Sequence, residues 1–185
     1  MKIKLTVITL FLGTLLSCSK NDVEKKQDYY VRFKIANERI ELNETVFATR
    51  EYHDYSFYSV EGVNVFGGRK GTDYDVEILN FGVAVLNEKL TERYYSVSKD
   101  DDYEVGMKWV KYRDNLETEH YYMTEVDYRP GNMTVTITEL SETHVKGTFS
   151  GNLYFEGEED NPTLLITDGE FYAPIVKEYI NPYFK

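Results

Sequence analysis

A two-residue alternation of apolar and polar side chains runs through most of this chain, and a chain so patterned is confined to extended strands. Tyr29, Val31, Phe33 and Ile35 fall on one side of an extended backbone, and Tyr30, Arg32 and Lys34 on the other. After a break at Asn37-Glu38, Ile40 and Leu42 alternate with Arg39 and Glu41, the pattern of a hairpin. Further strands are expected near 45–49, 54–66, 74–81, 93–98, 103–112 and 119–127. Between them lie Gly67-Gly68-Arg69-Lys70-Gly71, Asp100-Asp101-Asp102 and Arg113-Asp114-Asn115, read as loops.

The last third is the most regular. Pro130-Gly131-Asn132 is a turn signal, after which Met133, Val135 and Ile137 alternate with Thr134, Thr136 and Thr138. A long strand follows with Val145, Phe149, Leu153 and Phe155 on one face, and Gly147 and Gly151 on that same face. Glycine inside a strand marks a bend, a bulge or a close backbone approach. A turn is expected at Asp168-Gly169, between strands at 163–167 and 170–175. Seventeen tyrosines and ten phenylalanines suit pleated, half-buried surfaces. The expected fold is all-β: a single antiparallel β-sandwich, or a barrel, of about eight to eleven strands. Val31, Phe33, Val135, Ile137, Val145, Phe149, Leu153 and Phe155 are expected to line its core.

The N-terminus follows other rules. Lys2 and Lys4 precede an apolar run from Leu5 to Leu16, too short for the roughly 20 residues of a spanning helix. The run ends in Leu15-Leu16-Ser17-Cys18, and Cys18 is the one cysteine of 185 residues. This resembles the lipobox of bacterial lipoproteins. The resemblance implies that 1–17 is a signal peptide and that Cys18 is acylated and begins the mature chain. Residues 18–28 then form a polar tether, and 29–185 the β domain. Each buried methylene contributes about 0.8 kcal/mol, so one acyl chain holds weakly and two or more hold stably. The cysteine is followed by Ser19 rather than Asp, which resembles outer-membrane sorting in enteric bacteria. Asp22 and Glu24 are a dilute form of an acidic surface-export cue, so the surface and periplasmic faces both stay open.

A second resemblance lies in the last third. Met133-Thr134-Val135-Thr136-Ile137-Thr138, Val145-Lys146-Gly147-Thr148-Phe149-Ser150 and Ile166-Thr167-Asp168-Gly169-Glu170-Phe171 are similar to the strand pattern of small uncharacterised Bacteroidetes lipoproteins. That likeness covers roughly a quarter of the chain, through short hairpin motifs of limited specificity. It implies fold and location, and no activity.

Chemistry-bearing groups are sparse. Net charge is −11; residues 1–17 hold two lysines and no acid, so the remainder carries 19 basic against 32 acidic residues, a net −13. That excludes the basic footprint of a nucleic-acid partner. His53, His120 and His144 lack metal-ligand spacing, and no cofactor is implied. With Cys18 lipidated and no Gly-x-Ser-x-Gly elbow, no nucleophile stands out. Asp73, Asp75 and Glu77 share one strand face, read as a solvated row. The acidic loops at 100–102 and 156–160 lack the spacing of a dedicated calcium loop.

The aromatics are the most telling surface feature. Tyr52, Tyr55, Phe57 and Tyr58 crowd one segment, and Tyr94-Tyr95 and Tyr121-Tyr122 two more. In a strand, one member of each adjacent pair is expected in the core and the other outside. Ordinary cross-strand packing accounts for such aromatics equally in sequence; if they bind, Tyr55 and Tyr58 are the candidate residues, although strand parity through 54–66 places them on opposite faces. The expected function is a non-enzymatic binding or accessory module at the cell envelope. It would be held to the membrane by its lipid anchor, with a glycan or envelope protein as partner. The alternative is a glycan hydrolase using paired carboxylates.

Overall fold

The chain is built of strands, as the alternation requires, and no helix occurs among the described residues of this computed structural model, which are 28–70, 76–96, 103–113, 116–123, 133–155 and 164–177. The side chains of 113, 116–123 and 155 lie outside the description, as do Cys18 and its signal, Asp73, Asp75, and the segments 100–102, 130–132 and 156–160. The described elements are β1 (Tyr30–Ile35), β2 (Glu38–Leu42), β3 (Thr45–Asp54), β4 (Ser59–Arg69), β5 (Val76–Leu86) and β6 (Tyr94–Ser96). They continue with β7 (Tyr103–Arg113), β8 (Leu116–Met123), β9 (Met133–Leu140), β10 (His144–Phe155) and β11 (Leu164–Val176).

Hydrogen-bonded neighbours run β2-β1-β11-β3-β4-β5-β7-β8-β10-β9-β6, and β11 also pairs with β10. The result is one curled sheet. It is mixed rather than wholly antiparallel, because β11 runs parallel to β3 through Ile175↔Ala48 and Val176↔Thr49. Among the described residues β11 reaches β3 only with Ile175 and Val176, and β10 reaches β8 only through Tyr154↔Tyr122 and Phe155↔Tyr121.

The concave side is apolar. Val31, Phe33, Val135, Ile137, Val145, Phe149 and Leu153 are all buried there, as alternation requires. At its centre Phe81 stacks on Phe149 (centroids 4.2 Å apart), and Phe171 meets Phe81 edge-on at 5.1 Å. Phe33 sits 6.1 Å from Phe149 and edge-on to Trp109 at 6.0 Å. Edge-on and offset contacts of this kind add roughly 0.5–1.5 kcal/mol each beyond area burial.

Two glycines make room for these rings. Gly147 is the cross-strand partner of Phe171, and Gly169 that of Phe149. A Cβ at 147 would lie 2.7 Å from Phe171 Cζ and closer still to the Thr136 carbonyl; one at 169 would lie 2.8 Å from the Phe149 ring. Both sites adjoin irregularities. In β9, Thr138 is the extra residue between Lys146↔Glu139 and Gly147↔Ile137, and its hydroxyl donates to Lys146 O at 3.2 Å.

Several expectations need correction. Asp168-Gly169 is not a turn: β11 continues through it with a bulge, Asp168 taking φ 50 between Thr167 and Gly169. The residue types that favour turns also tolerate the left-handed backbone of a bulge. The first hairpin turns at Ala36-Asn37, one residue early, and both carry the positive φ (48 and 69) of a two-residue primed turn. The stretch from Gly67 is strand as far as Arg69, with Gly67 pressed against Val31 and Leu42. Glu77 is buried rather than solvated, and Arg69 Nε donates to it at 2.8 Å. Alternation places Glu77 on the side of Leu79 and Phe81, and the arginine offsets its desolvation.

Gly147 and Gly106 provide a paired test. Nothing lies within 4 Å of a Cβ at Gly106, whereas a backbone carbonyl blocks Gly147. Urea unfolding of Gly147→Val is expected to show a loss of about 3 kcal/mol or failure to fold. Gly106→Val should be neutral or stabilising. Equal effects at both positions would refute the crowding.

Candidate functional site

The segment Tyr52–Tyr58 is the end of the β3–β4 hairpin. The register Thr45↔Gly68 through Asp54↔Ser59 is uninterrupted, so the hairpin grows outward for ten paired residues. Tyr55 N–H donates to Tyr58 O at 2.8 Å, which leaves Ser56-Phe57 at the apex. This corrects the parity reading. Tyr55 and Tyr58 are not successive positions of one strand but partners across a turn, so they share a face. Their rings stack with centroids 4.8 Å apart and planes 29° apart. His53, two residues before Tyr55, extends the row at 6.0 Å.

The rings are open to solvent. Tyr55 is 49% exposed, Tyr58 46% and Phe57 96%. Of six large hydrophobic side chains exposed among the described residues, four belong to this tip: Tyr52, Tyr55, Phe57 and Tyr58. Such a concentration is not what a solvated strand end needs; it is amphipathic contact area held at low entropic cost. Charged groups border it: Glu51 Oε2 lies 3.3 Å from His53 Nε2, and Asp54 is exposed.

The base of the tip is fixed by polar groups that the sequence did not single out. Asn87, at φ 55 just after β5, accepts from Ser59 N–H (3.1 Å) through its side chain and donates its own N–H to Ser59 O (2.8 Å). Asparagine tolerates this backbone conformation, which could have marked it as a turn residue. Glu61 is buried, and it accepts from Arg50 Nε (2.9 Å) and from Leu90 N–H (3.0 Å). The acid thus ties β3, β4 and the segment after β5 together. Beside Tyr58 a depression of about 400 Å³ is lined by Val60, Ala84, Leu86, Asn87 and Glu104.

The other tyrosine pairs fare differently. Tyr95 is fully buried, its hydroxyl donating to Thr91 O at 2.8 Å, while Tyr94 is exposed, as alternation expects. The side chains of Tyr121, Tyr122 and His120 lie outside the described residues. His144 contacts Glu139 and Ser141 in the β9–β10 hairpin.

The Glu61 junction can be tested by denaturation. Glu61→Ala leaves Arg50 and the Leu90 amide without their acceptor, and is expected to cost about 3 kcal/mol. Glu88→Ala, which breaks only the exposed pair with Arg93, should cost almost nothing. Compared with known proteins, the chain matches no family model, no curated protein and no solved structure.

Proposed function

We propose that this chain is an outer-membrane lipoprotein, anchored through an acylated Cys18, whose β domain is a binding or accessory module of the cell envelope. Recognition runs through the hairpin tip, with Tyr55 and Tyr58 as its centre and a glycan or envelope protein as partner. The observation that carries this reading is the exposed Tyr55–Tyr58 stack beside a nearly bare Phe57. The lipobox at Leu15–Cys18 and the likeness to small Bacteroidetes lipoproteins support the location. We regard the curled sheet as a sandwich whose leaves share β10 and β11, a reading supported by each of these strands having three hydrogen-bonded neighbours.

The hydrolase alternative is less well supported. Glu61 and Glu77 are the buried carboxylates among the described residues, and Arg50 and Arg69 hold them. Glu61 pairs with Val85 of β5, eight residues from Glu77 on that strand. At strand rise that is on the order of 25 Å, against roughly 5–9.5 Å for a glycosidase pair.

Two experiments test the proposal. Labelled fatty acid should enter the wild-type protein and not Cys18→Ser; an unlabelled wild type in its native host would reject the anchor. Crosslinked pull-down from the native envelope should recover a partner that Tyr55→Ala and Tyr58→Ala lose while remaining folded. If both variants unfold, or both keep the partner, the tip is not the recognition site.

A further inference from the structure

The outer surface of β1, β10 and β11 carries a groove of about 620 Å³, formed by strands other than those of the tyrosine tip. It crosses β11 at the bulge. One wall is cationic, from Arg32 and Lys34 of β1 and Arg39 of β2; the other is hydroxylic, from Thr148 and Ser150 of β10 and Thr134 of β9. Asp168 and Glu170 of β11 lie between.

Register explains the depth. Arg32, Glu170 and Thr148 form one rung across three strands. On the next, β11 slips past Lys34 and Ser150, and the bulge at Asp168-Gly169 interrupts the regular ladder. From β2 to β9 the face spans four strand spacings, roughly 19 Å. That suits a short chain better than a single small molecule.

The charges decide what kind of chain. Lys34 Nζ is 2.8 Å from Asp168, and Arg32 is 3.2 Å from Glu41 of β2, so these ions largely cancel. Among the described residues the side chains of Arg39, Glu170 and Thr148 make no hydrogen bond or ion pair, leaving a donor, an acceptor and a hydroxyl for a ligand. A polyanion would enter against the net charge of −11, and an apolar ligand would leave these groups desolvated. At one end the groove meets aromatic rings, with Tyr30 and Tyr172 6.5 Å apart on the neighbouring rung and Arg32 over Tyr30 at 3.9 Å. A free cation, a free carboxylate and hydroxyls beside half-buried tyrosine rings match alternating hydroxyl and C–H surfaces. We propose that this groove binds a neutral oligosaccharide laid across β11, with Arg39, Glu170 and Thr148 taking its hydroxyls and Tyr30 and Tyr172 bordering its apolar face.

The detergent-solubilised full-length protein should be titrated calorimetrically with hexasaccharides: neutral α- and β-linked glucans, mannan and chitin fragments, and oligogalacturonate as the polyanionic arm. At least one neutral hexasaccharide is expected to bind. Arg39→Ala and Glu170→Gln, both at exposed positions, should each weaken it about tenfold or more. Glu88→Ala, which lies in neither the groove nor the hairpin tip, should leave it unchanged. The proposal is overturned if no neutral hexasaccharide binds at millimolar concentration, if only oligogalacturonate binds, or if both groove variants bind like wild type, as they would were the glycan held at the hairpin tip.

Discussion

Each of two adjacent strands lacks a side chain where the other carries a phenylalanine, and this exchange sets the shape of the core. Phe171 of β11 fills the space left by Gly147 of β10; Phe149 of β10 fills the space left by Gly169 of β11. The two rings then bracket Phe81 from β5, and Phe149 extends the contact to Phe33 on β1. Rings of this size bury 150–250 Å² each, so their placement governs much of the apolar burial available to the domain. The bulges in β9 and β11 follow from it. They let the backbone approach closely at the glycines and then resume the ladder beyond them.

The same bulge shapes the outside. Where β11 slips register at Asp168-Gly169, the core face gains the Phe149 ring and the solvent face carries Asp168 out of the regular ladder, against Lys34. The groove walled by Lys34 and Ser150 is the outer imprint of the inner packing. The tyrosine tip has a different origin. It is the free end of a hairpin whose paired strands continue past the core, and Asn87 and Glu61 brace its base rather than its apex. The groove therefore sits on the frame of the fold, and the tip on an outgrowth of it.

Much of this was legible in the residues, and the misses have physical causes. Val31, Phe33, Val145 and Phe149 report their burial directly, because a side-chain period of two allows only one inward set. Gly147 announced close approach, though not which ring required it. Asp168-Gly169 reads identically for a turn and for a bulge, since both need a left-handed residue beside a small one. Tyr55 and Tyr58 were placed on opposite faces because the parity count ran through a two-residue turn, which resets it. Glu77 looked solvated because its partner, Arg69, was read as part of the glycine-rich loop, whereas β4 runs on to Arg69 and pairs it with Glu77. Arg39, Glu170 and Thr148 lie far apart in the chain, and only the order β2-β1-β11-β10 brings them to one face.

If the paired glycines and phenylalanines of β10 and β11 hold the fold, those strands should open only when the whole domain does. Native-state hydrogen exchange measures this residue by residue. The amides of Gly147, Phe149 and Phe171 are expected to exchange with the free energy of global unfolding, while those near Tyr55 and Tyr58 exchange through local opening at much lower cost. Faster exchange in β10 and β11 than in β4 and β5 would contradict the account, since the core would then be held by the β4–β5 pairing and not by the exchange of rings.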